Sequence, residues 1–163
     1  MRVGILLALA LVGAAPDARV LKPKSFGPVR VGMTRAQTER ALAARLLVDY
    51  PDEDSQACGM ARRRDGRDKA IHYMIENGRV ARIDVDDPKV TTARGVGIGS
   101  TVAQVRRAYG KALRSQLNQY SEQPDLEIKG PRGFGIIFET DGQRVLTMRG
   151  GRYPAVAYVE SCL

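Results

Sequence analysis

Arg62-Arg63-Arg64-Asp65-Gly66-Arg67-Asp68-Lys69 gathers five cations and two acids in eight residues. Guanidinium groups grip carboxylates and phosphates through two parallel hydrogen bonds, so a cluster like this suits an anionic surface. Arg62, Arg63, Arg64, Arg67 and Lys69 are therefore the candidate partner-binding residues. The same cluster also serves a plainer role, as a charged hairpin tip that keeps edge strands from pairing with other chains. Other groups promise less. His72 is the only histidine, and no thiolate or carboxylate stands at ligand spacing to complete a zinc site with it. No Gly-x-Ser-x-Gly elbow supplies a nucleophile for it to activate. It reads as a sheet-surface histidine. Asp84, Asp86 and Asp87 lack the spaced carboxylates and closing glutamate of a calcium loop and read as a solvated strand end. Gly95-Val96-Gly97-Ile98-Gly99-Ser100-Thr101 has neither the lysine of a phosphate loop nor the third glycine of a dinucleotide fingerprint. No nucleophile, base and orienting group can be assembled, so the expectation is a protein that is not an enzyme, with no catalytic residue, cofactor or metal.

The two cysteines, Cys58 and Cys162, are a different kind of chemistry. Pairing them closes a loop of roughly a hundred residues, and chain entropy assigns such a bond about 4–5 kcal/mol. An even count in a chain bound for an oxidising compartment favours the bond. That destination is read from residues 1–14, where Arg2 precedes the apolar run Val3–Val12 and the small residues Gly13 and Ala14. This is the pattern of a secretory signal, cut after Ala14 or Ala15. The run is too short to cross a bilayer of roughly 30 Å as a helix. The expectation is a periplasmic or secreted protein with no transmembrane segment once the signal is cut. Lys and Arg number 26 against 18 acids, a net charge of +8, which favours anionic partners. Export and the lack of a helix-period basic arm argue against nucleic acid.

The elements that would hold these residues are organised by one stretch that occurs twice. Residues 31–41, Val-Gly-Met-Thr-Arg-Ala-Gln-Thr-Glu-Arg-Ala, return at 98–108 as Ile-Gly-Ser-Thr-Val-Ala-Gln-Val-Arg-Arg-Ala, with six of eleven positions identical. Thr34 and Thr101 are placed as helix N-caps, and Gln37 and Gln104 three residues on complete a capping box. Residues 15–25 form an N-terminal extension with a short strand at Arg19–Leu21. Helix one is expected from Arg35 to about Leu46 and helix two over Val102–Tyr109, stopping at Gly110. Asp65-Gly66 and Asn77-Gly78 mark tight hairpin turns between strands Cys58–Arg64, Arg67–Glu76 and Arg79–Val85. A polar connection over Lys111–Asp125 is followed by strands at Leu126–Lys129, Phe134–Thr140, Arg144–Arg149 and Ala155–Glu160. The expected fold class is α+β: two tandem repeats, residues 26–90 and 91–163, each a capped helix followed by a three- or four-stranded antiparallel meander.

This arrangement resembles the β-lactamase inhibitor proteins. Single copies resemble the small lipoprotein of the outer-membrane β-barrel assembly machine, whose helix begins with a similar Gly-Met-Thr. Gly32-Met33-Thr34 matches that form, and Gly99-Ser100-Thr101 matches it in part. The chain departs in having no lipid-anchor cysteine and in placing its two cysteines in different halves, where the inhibitors carry a bridge inside each. The resemblance implies an exported binding protein whose sheet face or basic hairpin docks a protein partner, with inhibition one form of such docking. The alternative reading is an envelope-assembly or surface factor that touches anionic lipid or outer-membrane components.

Overall fold

The computed structural model describes residues 19–50 and 57–162. The signal stretch 1–14, the start of the N-terminal extension and most of the acidic loop after Asp49 lie outside the described residues. The chain is mostly β. Three short strands, β1 (Val20–Lys22), β2 (Ser25–Phe26) and β3 (Val29–Arg30), precede helix α1 (Arg35–Leu42). Then come β4 (Leu46–Asp49), β5 (Cys58–Arg63), β6 (Ile71–Glu76), β7 (Arg79–Val85) and β8 (Thr91–Thr92). Helix α2 (Val102–Tyr109) leads into β9 (Leu113–Leu117), β10 (Pro124–Lys129), β11 (Phe134–Thr140) and β12 (Val145–Arg152).

The expected α+β fold of two tandem helix-plus-meander units is overturned by the strand pairing. β4–β7 and β9–β12 do not form separate meanders. They join in one eight-stranded antiparallel sheet of order β4-β5-β6-β7-β12-β11-β10-β9. The seam is the β7–β12 ladder, where Met148 faces Val85, Arg149 faces Asp84 and Gly150 faces Ile83. A second sheet, β3-β2-β1-β8, includes one parallel pair, β1 with β8. The physical reason is burial: one continuous sheet closes the inner edges that two separate meanders would leave open.

One face of the large sheet carries Ile71, Tyr73, Ile75, Val80, Ile83, Val85, Leu126, Ile136, Phe138 and Met148, all buried. The small sheet covers it with Leu21, Phe26 and Val29, and α2 adds Val105. Contact is close enough to require glycine at one point. A Cβ on Gly150 would stand 2.9 Å from the Lys22 carbonyl oxygen and 3.2 Å from Leu21 Cδ1.

Several element ends also differ from expectation. Helix one stops at Leu42, because Ala43 takes a left-handed conformation (φ 49°) and Leu46 is drawn into pairing with Arg63. The Leu46 N–H donates to Glu39 and its carbonyl accepts from Arg35, so α1 caps the outer edge of β4. Asp65-Gly66 is not a two-residue turn, since residues 64–70 all lie between β5 and β6. The connection after α2 contains β9. The expected last strand, Ala155–Glu160, is instead a 3₁₀ turn at Ala155–Ala157 followed by an irregular segment.

Candidate functional site

The β5–β6 connection carries the basic cluster, and the structure divides its residues into two groups. Arg63 turns toward α1 and is nearly buried. Its Nε and Nη2 donate to Asp65 at 3.0 and 2.6 Å, and its Nη1 donates to the Leu42 carbonyl at 3.2 Å. Asp65 also accepts from the Arg67 backbone N–H at 3.1 Å. The Arg63 guanidinium holds the Asp65 carboxyl down to about 2. The second acid, Asp68, accepts from Arg19 Nη1 at 2.8 Å, and the same guanidinium bridges to Asp87. Both acids of the cluster are thus engaged. Arg62, Arg64 and Lys69 are exposed, and their side chains meet no acid or hydrogen-bond acceptor among the described residues. Arg67 is 79% exposed, with Nε 3.4 Å from Asp65. Leu47, a partly exposed apolar side chain, faces Arg62 across the β4–β5 ladder.

Behind the hairpin, where the small sheet meets α1, lies a cleft of about 620 Å³. Arg19, Arg63 and Asp68 stand at its polar side, with Phe26, Leu42 and Tyr73 among its apolar lining. Tyr73 is buried, its hydroxyl finds no hydrogen-bond partner among the described residues, and burial pushes its ionisation up to about 12. The sequence places Tyr73 only within the expected strand Arg67–Glu76 and carries no sign of the cleft. No local signal marks it, because its walls come from β1, β2, α1 and the β5–β6 hairpin.

The other face of the large sheet is charged and partly covered by residues 153–162. Arg82, 2% exposed, donates to Asp84 at 2.8 Å, to the Ala155 and Tyr158 carbonyls at 3.1 and 2.7 Å, and to Ser161 Oγ at 3.0 Å. Arg149 donates to the Val156 carbonyl at 2.8 Å and pairs with Glu139. Its Nη2 is buried 3.6 Å from Asp125 without a hydrogen bond. Burial raises the carboxyls of Asp84 and Asp125. The solvated strand end expected at Asp84, Asp86 and Asp87 is corrected here. Asp84 is half-buried against Arg82, Asp86 lies 3.8 Å from His72 Nδ1, and Asp87 pairs with Arg19. The three serve different neighbours. Among the described residues no three His, Cys, Asp or Glu side chains are grouped to hold a metal ion.

The cap residues sit at the helix starts. Gln37 N–H donates to Thr34 Oγ1 at 3.2 Å, and Thr34 N–H donates to Gln37 Oε1 at 2.8 Å. Gln104 and Thr101 repeat this at 3.1 and 2.7 Å. Gly99, in the glycine-rich stretch, has φ 82° and leads into that second cap. Cys58 and Cys162 form a disulfide across a Cα–Cα distance of 5.4 Å. Among the described residues no helix is long and apolar enough to cross a membrane.

The fold is similar to that in the crystal structure of the uncharacterized protein yfeY from Escherichia coli. The TM-score is 0.55 at 15% sequence identity, over 82% of this chain and 99% of that one. At this identity the likeness concerns the fold alone. No protein-family model matches the chain, and neither does any curated protein.

Proposed function

We propose that the protein is an exported, non-enzymatic binding protein that docks an acidic protein surface on the open side of the β5–β6 hairpin. One observation carries the reading. Both acids of the hairpin are held by Arg63 and Arg19, while Arg62, Arg64 and Lys69 stand exposed without an acceptor among the described residues. The tip presents positive charge that no acid among the described residues pairs with, and such a field steers and orients an anionic partner. Leu47 beside Arg62 supplies an apolar anchor among arginines, a composition that suits a protein interface better than a bilayer. The Cys58–Cys162 bond and the leader-like residues 1–14 support an oxidising, periplasmic or secreted setting.

The test is affinity capture from envelope extract with mass spectrometry, followed by binding measurements on the captured protein. The expected partner is acidic and loses affinity as salt is raised, because exposed charge pairs are screened. The Arg62→Gln/Arg64→Gln/Lys69→Gln protein should bind it at least about tenfold more weakly. An Arg106→Gln/Arg107→Gln protein, altered on α2, should bind it as before. Equal loss in both variants, no loss in either, or capture only of anionic phospholipid vesicles would overturn the reading. The last result would favour a lipid-contacting surface factor.

A further inference from the structure

The inward side of the same hairpin faces a cleft, away from the exposed cations of the docking surface. We propose that the cleft between the small sheet, α1 and the β5–β6 hairpin binds a small amphipathic carboxylate, an apolar chain ending in one negative charge. Its volume of about 620 Å³ falls within the size of clefts that take small molecules, and the lining has their composition, apolar with a few convergent polar groups. Phe26 and Leu42 offer the apolar surface.

The polar side is built for an oxygen acceptor. Arg63 is fixed by Asp65 and the Leu42 carbonyl, and Arg19 by Asp68 and Asp87. Each guanidinium has five N–H donors, so these contacts orient the group without using all of it. Tyr73, a buried residue in the lining, adds a hydroxyl with no hydrogen-bond partner among the described residues. A ligand oxygen in the cleft can accept from this hydroxyl as well as from the guanidinium N–H groups. With its ionisation pushed up to about 12, the phenol remains a donor at neutral pH. Asp68, also in the lining, repels a second negative charge, which favours a carboxylate over a phosphate monoester.

Calorimetric titration of the purified protein with decanoate, kept below its micelle concentration, tests the proposal. One decanoate should bind per chain, and decanol should bind at least tenfold more weakly. Tyr73→Phe, which removes only the hydroxyl oxygen, should weaken decanoate three- to tenfold with the melting temperature nearly unchanged. Ala41→Trp, which fills the cleft, should abolish binding of both. The Arg62→Gln/Arg64→Gln/Lys69→Gln protein should bind decanoate normally, so this site and the docking surface can fail independently. Equal affinity for decanol and decanoate, no heat with decanoate, or full binding by the Tyr73→Phe and Ala41→Trp proteins would overturn it.

Discussion

Asp65 is exposed, yet its carboxyl stays ionised down to about 2, chiefly because Arg63 donates two hydrogen bonds to it. A carboxyl whose folded-state pKa lies below its ordinary 3.8 contributes stability above 3.8 and loses it as the pH falls toward about 2. Asp141, bonded by the N–H groups of Arg144 and Gln143, acts in the same direction. Asp84 and Asp125 act the other way: burial raises them, so their contribution to stability grows as the pH falls through their raised values. For Asp65→Asn, the melting temperature should lie below that of the parent at neutral pH and converge with it by about pH 2. Thermal melts followed by circular dichroism from pH 7 to 2 would show this, and a gap independent of pH would show that the Asp65 charge is immaterial. The residue pattern made the basic cluster visible. It did not show that Arg63 faces inward, because that depends on the Leu42 carbonyl, 21 residues earlier in the chain.

At the scale of elements, α1 and α2 are eight residues each, too short to be stable alone, so their ends matter more than their faces. The duplicated stretch makes the same contacts at both sites. Gly32 N–H donates to the Val80 carbonyl and Gly99 N–H to that of Val145, while Arg79 and Arg144 reach back to the Gly32 and Gly99 carbonyls. Each cap therefore fixes a helix start to the head of a central strand. Thr34→Ala and Thr101→Ala should each cost about 1 kcal/mol in chemical denaturation, the usual value for losing an N-cap hydroxyl. Neutral results at both would mean that the strand-head contacts alone hold the helix starts. These caps were legible because a capping box is written within four residues. So was the Asn77-Gly78 hairpin, whose two residues both take positive φ. The stop at Leu42 was not, since helical spacing continues to Leu46 and only pairing with β5 draws that residue into the sheet.

For the whole molecule, the decisive contacts join residues far apart in sequence, which no short window of the chain records. Local alternation marked most of the strands, but not that β7 would pair with β12 and turn two expected meanders into one sheet. The same holds for the segment after β12. Its alternation suggested another strand, yet Arg82 and Arg149 take its carbonyls and hold it across the charged face instead. Cys162 then ties the end of that segment to Cys58 at the start of β5, across a sequence separation of 104. The bond joins the last turn of the chain to the sheet two strands from the seam, and Met74, Ala155 and Cys162 form a small apolar cluster beneath it. Closing a loop of this length restricts the unfolded chain by about 4–5 kcal/mol in the chain-entropy view. With about 2–4 °C per kcal/mol for a domain of this size, the Cys58→Ser/Cys162→Ser protein should melt about 10 °C below the parent. Because Arg82 and Arg149 hold the segment independently, the variant should still fold and keep the near-ultraviolet signature of the parent at 20 °C. Alkylation under denaturing, non-reducing conditions should label neither cysteine of the parent. An unchanged melting temperature would show that the arginine contacts, and not the covalent bond, set the stability of this end of the molecule.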